Sequence, residues 1–126
     1  MAALILPGCG VLDLIDPVLC PGVISRAVEV EVRDARTGDP AADGATGTAR
    51  SGNFVETLQV VGWISHPGPR TAVVLGGVDE RPGVYTVTVE KPGYKPWERT
   101  GVVAERGQCG VRTASLTANL EHAPEI

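Results

Sequence analysis

The chain has 126 residues, with 11 Lys and Arg against 15 Asp and Glu, for a net charge of −4. That length fits one domain with one core, and the acidic balance argues against a nucleic-acid partner, whose footprint is a basic patch. With 43% apolar residues the chain is not disordered by composition, and no apolar run approaches the ~20 residues of a membrane-crossing helix.

The composition leans to strands. Eighteen Val, ten Thr and five Ile make β-branched residues about a quarter of the chain, and these stiff side chains suit a pleated sheet. Sixteen Gly and ten Pro are spread along the whole length, which supplies turns between short strands and not one flexible linker.

Residues 1–22 differ from the rest: they hold no Lys or Arg, and Pro7, Pro17 and Pro21 interrupt any long helix. This segment reads as a leader and tether. Leu6-Pro7-Gly8-Cys9 resembles a bacterial lipobox, in which a Leu three positions ahead and small residues precede a lipid-bearing Cys. Pro7 departs from that pattern, and only eight residues precede Cys9, fewer than a signal peptide needs. Two readings stand: Cys9 is acylated and its leader starts upstream, or Cys9 is an unpaired thiol.

Residues 23–121 read as the folded domain. Val28, Val30 and Val32 alternate with Glu29, Glu31 and Arg33, the period of a half-buried strand. Residues 34–40 form a turn, with Gly38 tolerating positive φ and Pro40 ending its tip. Strands follow over 45–50, 54–61 and 71–76, with a loop over 62–70 and a turn over 79–83. Tyr85, Val87 and Val89 alternate with Thr86, Thr88 and Glu90 in another strand; Tyr85 is predicted to bury its ring and keep its hydroxyl near a backbone partner. Lys91-Pro92-Gly93 is a tight turn. Residues 94–105 give one or two strands, with Pro96 at an edge or kink, and 105–108 turn. Ala114, Leu116, Ala118 and Leu120 alternate with hydroxyl and amide residues in a last strand. Residues 122–126 are left as a tail. About seven short strands and no helical period predict an all-β fold, an antiparallel Greek-key β-sandwich.

Three Cys allow a single bridge to be drawn in three ways. Cys20 precedes the first strand and Cys109 the last, and such strands are often neighbours in a Greek-key sandwich. A Cys20–Cys109 bridge would close a loop of about 90 residues, worth roughly 4–5 kcal/mol in the chain-entropy model. Two free thiols in a cytosolic protein are the competing reading.

The residues also carry a resemblance. Val30, Val32, Asp34, Thr37, Gly38 and Pro40, followed by Gly83, Tyr85, Val87, Val89, Gly93 and Tyr94, resemble the opening strand and later hairpin of carboxypeptidase regulatory-like domains, which share the transthyretin-like (prealbumin-like) sandwich. The likeness covers about residues 20–121 and rests on turn and strand chemistry. It implies a structural, adhesive or carbohydrate-contacting module of a bacterial lipoprotein or secreted protein, and it implies no catalytic residue.

The chemistry-bearing residues fit that picture. His66 and His122 lack a sequence pattern of nucleophile and acid, and both read as solvated. Transthyretin-like hydroxyisourate hydrolases end in Tyr-Arg-Gly-Ser and carry an early His; this chain ends HAPEI and has none. A Lys–Asn isopeptide crosslink needs a Lys on the first strand, where only Arg26 and Arg33 stand. The turn acids Asp34, Asp39, Asp43, Asp79 and Glu80 have no calcium-loop spacing, and the Cys spacings are not those of zinc, so neither metal nor cofactor is expected. Trp63, His66, Tyr94 and Trp97 are the candidate contacts for a glycan or an envelope protein, the competing role for a Trp being to cap an open end of the core. The leading expectation is a non-catalytic module of the cell envelope. The rivals are a small hydrolase built around His66, a carbohydrate-binding module, and an accessory domain for a peptidase.

Overall fold

The computed structural model describes Cys20, residues 24–65 and residues 68–124. Cys9 and His66 lie outside the described residues. Ten strands form: β1 (Arg26–Asp34), β2 (Thr46–Ser51), β3 (Phe54–Thr57), β4 (Gln59–Ile64), β5 (Thr71–Asp79), β6 (Gly83–Glu90), β7 (Trp97–Ala104), β8 (Arg106–Gly107), β9 (Gly110–Val111) and β10 (Ala114–Leu120). Two four-stranded sheets, in the orders β10-β1-β5-β4 and β3-β2-β6-β7, face each other across one core, and β8 and β9 make a small hairpin. Among the described residues there is no helix.

Ten strands replace the expected seven or so for two reasons. The run 54–61 breaks at Leu58, whose N–H bonds to the Gly47 carbonyl (2.8 Å) and whose side chain enters the core, so the chain leaves one sheet as β3 and joins the other as β4. The expected turn after Glu105 is a hairpin of two-residue strands. The loop expected over 62–70 starts later, because Trp63 and Ile64 pair with Ala72 and Thr71 of β5. The pairing is also not wholly antiparallel: β1 and β10 run parallel, in register from Val28–Ala114 to Asp34–Leu120.

The alternation in β1 does what its spacing demands. Val28, Val30 and Val32 are fully buried, and Glu29 and Glu31 lie half-exposed on the opposite face. In β10, Ala118 and Leu120 are buried while Ser115, Thr117 and Asn119 face solvent. β5 is buried along most of its length because it lies between β1 and β4. With few aromatics, Val, Ala and Leu fill the interior around Tyr85. That residue is 1% exposed, meets Phe54 edge-on at 6.4 Å, and donates its hydroxyl proton to the Arg81 carbonyl at 2.6 Å. Tyr85→Phe should cost about 1 kcal/mol, the net worth of such a bond, as read by urea unfolding; no change would mean that the hydroxyl is not held.

The parallel pair gives the sandwich two distinct poles. At the pole where β1 and β10 begin, Cys20 and Cys109 form a disulfide, with Cα atoms 5.1 Å apart. The strand ends there are tied further. Thr113 Oγ1 donates to the Arg26 carbonyl (2.6 Å), Glu80 N–H to the Ser25 carbonyl (2.8 Å), and Ser25 N–H to the Glu80 carboxylate (2.6 Å). Gly110 has φ +116°, and a Cβ on it would lie 2.7 Å from Glu80 Oε1, so only glycine fits beside Cys109. β5 ends with Val78 at φ 62°, an unfavourable backbone for a β-branched residue. Burial of its side chain and a 2.8 Å bond from its N–H to Glu56 Oε2 hold it there.

Candidate functional site

The opposite pole gathers the polar chemistry of the molecule. β1 ends at Asp34, and the chain turns at once: Gly38 N–H bonds to the Asp34 carbonyl (2.8 Å), and Asp34 N–H to the Asp39 carbonyl (2.9 Å). Asp34 Oδ1 accepts the backbone N–H groups of Arg36 (2.7 Å) and Thr37 (3.0 Å). A short polar side chain at the head of a turn folds back in this way onto the following amides.

The second oxygen reaches across the sandwich. Asp34 Oδ2 accepts the Tyr94 hydroxyl at 2.6 Å and lies 2.8 Å from His122 Nε2. Tyr94 is delivered by the turn expected at Lys91-Pro92-Gly93, where Gly93 takes φ +88° and Tyr94 N–H closes onto the Lys91 carbonyl (3.0 Å). His122 is delivered by β10. Two of the residues expected as a tail are in fact paired: His122 bridges to Tyr94, and Ala123 N–H bonds to the Gly93 carbonyl (2.9 Å). The Tyr94 and His122 rings lie 4.6 Å apart, tilted by 34°.

The electrostatics reflect this geometry. Asp34 is 7% exposed. The Tyr94 hydroxyl holds its carboxyl far below the usual carboxylate range, burial pushes the other way, and the Thr37 and Arg36 amides and His122 add to the lowering. The Tyr94 phenol is raised above its ordinary value, first by donating to Asp34, then by burial and by the Asp34 charge. An ionised carboxylate only accepts, so His122 Nε2 carries the proton that it donates to Asp34.

This arrangement decides what the cluster can do. A carboxylate offers about four acceptor sites, and Asp34 fills four with Arg36, Thr37, Tyr94 and His122. It has no lone pair left for a metal ion or a substrate proton. Asp34 thus orients His122, whose ring is 38% exposed. The surface depressions beside His122 are lined by Ala35, Arg36, Glu121, Gly93, Ala123 and Pro124, none of which carries a hydroxyl or thiol nucleophile. Among the described residues no group of three or more His, Cys, Asp or Glu forms a metal-binding cluster. The turn acids do not converge either: Asp34 ends β1, whereas Asp79 pairs with Arg26 at its start.

The aromatic candidates are split between the two edges of the sandwich. Trp97 opens β7, opposite Val89, and packs half-buried against the core with Arg99 5.3 Å from its ring. It caps the core on the side where β7 meets β10. Trp63 lies on the far edge strand β4, 47% exposed, with the Arg70 guanidinium 4.0 Å over its ring. Tyr94 serves Asp34. His122, which the sequence suggests is solvated, and Asp34, which it shows only as a turn acid, are the partners that it misses. They lie 60 and 88 positions from their contacts, and no spacing rule spans such gaps. The available signal is the Asp that heads the turn at 34–40.

Comparison with family models gives no match for this chain, and comparison with curated proteins gives none.

Proposed function

We propose that the chain is a non-catalytic structural or interaction module of the bacterial cell envelope, a transthyretin-like Greek-key sandwich of the carboxypeptidase regulatory-like type, tethered through residues 1–22 by a lipid on Cys9. The observation that carries this reading is the Cys20–Cys109 bond. Such bonds persist in exported proteins and are rare where glutathione and thioredoxin keep thiols reduced. A contact surface for a glycan or an envelope protein is supported by the surroundings of Trp97. Lys95, Pro96, Asn119 and Glu121 line one depression beside it, and Thr48, Arg50, Thr88, Glu90 and Glu98 line another. Hydrogen-bonding groups around an indole suit sugar hydroxyls and an apolar sugar face.

The tether is tested by fractionating cells that express the gene from its native locus, upstream sequence included, in wild-type form or with Cys9→Ser. The expected result is a shift of most of the protein from the membrane fraction to the soluble fraction. Equal distribution of the two forms would remove the lipid anchor.

A small hydrolase is the second reading, and the Asp34–His122 pair is what favours it, because a carboxylate that fixes an imidazole is a common base arrangement. The depressions beside His122 supply no hydroxyl or thiol nucleophile. Hydrolysis there would run through a water activated by the imidazole.

A further inference from the structure

We infer that this module is a tension strut whose disulfide caps its extension, an inference that rests on the envelope-tether reading. Because β1 and β10 are parallel, the chain enters the sandwich at one pole and leaves it at the other. A pull applied between residues ahead of Cys20 and residues beyond Pro124 therefore acts along these two strands.

With the bridge formed, tension reaching Cys20 crosses the sulfurs to Cys109 and continues along β9 and β10. The segment 21–108 is bypassed. β10 is already extended, at roughly 3.3 Å per residue against a limit of about 3.6 Å, so it yields little. Its far end is fastened as well. Ala35 N–H bonds to the Leu120 carbonyl (2.8 Å), Lys95 N–H to the Glu121 carbonyl (2.7 Å), Ala123 N–H to the Gly93 carbonyl (2.9 Å), and His122 to Asp34 (2.8 Å). The slack is confined to the residues ahead of Cys20 and those beyond Cys109, together at most about 130 Å of chain.

With the bridge reduced, tension enters through β1 and leaves through β10. Their seven paired positions overlap over about 20 Å. In a parallel pair the inter-strand bonds are evenly spaced and slanted across the strands, so a pull along the strands loads them together and not one after another. The pairing then fails as a unit. The segment that the bond had closed, 89 positions end to end, is released, adding about 300 Å.

The test is single-molecule pulling of the full chain between handles at its two ends, with and without dithiothreitol, and with Cys20→Ser as a second route to the open form. The oxidised protein should lengthen by no more than about 130 Å, the reach of the residues outside the bridge. The reduced protein and the variant should show one discrete rupture followed by about 300 Å of added length. Release of that length from oxidised protein would overturn the bypass, and gradual unravelling of reduced protein with no discrete rupture would overturn the side-by-side loading. Pulling is done on purified protein, so its outcome is independent of the Cys9→Ser fractionation. A strut found outside the envelope would sink the tether reading alone.

Discussion

Cys109→Ser should lower the midpoint of thermal unfolding by about 20 °C in non-reducing buffer. The bridge closes a loop between positions 89 apart, and the chain-entropy relation gives such a loop about 4–5 kcal/mol of stabilisation through the unfolded state. A domain of this size loses roughly 4–8 °C per kcal/mol. The same value should appear when wild-type protein is measured with dithiothreitol, because both treatments free the same loop. Native-state strain would shrink the effect; a drop of under about 5 °C would mean that the pole is held by Thr113, Ser25 and Glu80 without help from the sulfurs.

Asp34→Asn should change the shape of the stability profile against pH as well as its height. The folded carboxyl titrates far below its unfolded value, first because of the Tyr94 hydroxyl. The unfolded state therefore binds the proton first, and stability rises with pH through this window. The contribution of Asp34 is fully present above the unfolded value of about 4 and is lost as pH falls below it toward the folded value. Tyr94 acts at the other end. Its folded value is raised, so its contribution is complete below the unfolded value of about 10 and fades as pH climbs beyond it. Wild-type protein should show a plateau that falls on both sides. The Asn variant should have a lower and flatter curve, with a loss at neutral pH larger than that of Tyr85→Phe, since four hydrogen bonds lose their charged acceptor. Melting temperatures from pH 2 to 11 read this directly, and parallel curves for the two proteins would show that Asp34 is not the acceptor described.

The legible parts of this fold are those with short-range signals. Alternation places β1, β6 and β10 and chooses their buried faces, since side chains in a strand must alternate. Pro92-Gly93 announces its turn, and Tyr85 announces a buried ring with a held hydroxyl. What the sequence hides is non-local. Nothing near Leu58 says that the chain changes sheets there, because Leu suits a core in either layer. The parallel pairing of β1 and β10 leaves no mark in either strand. At the candidate site, Tyr94 stands out in the sequence as a surface contact and proves to be the hydroxyl that holds Asp34. His122 looks like part of a free tail because its partners, Asp34 and Tyr94, come from elsewhere in the chain. Trp97 looks exposed among charges, yet the register sets it opposite the buried Val89.

The most direct check on the starts of β1 and β10 being joined at one pole is a disulfide map of unreduced protein cut with trypsin and an aspartate-specific protease. Cleavage before Asp13 and Asp16 separates Cys9 from Cys20, and cleavage after Arg106 and Arg112 isolates Cys109. The account predicts a linked pair made of residues 16–26 and 107–112. Cys109 recovered as a free thiol, or joined to the fragment that carries Cys9, would contradict it.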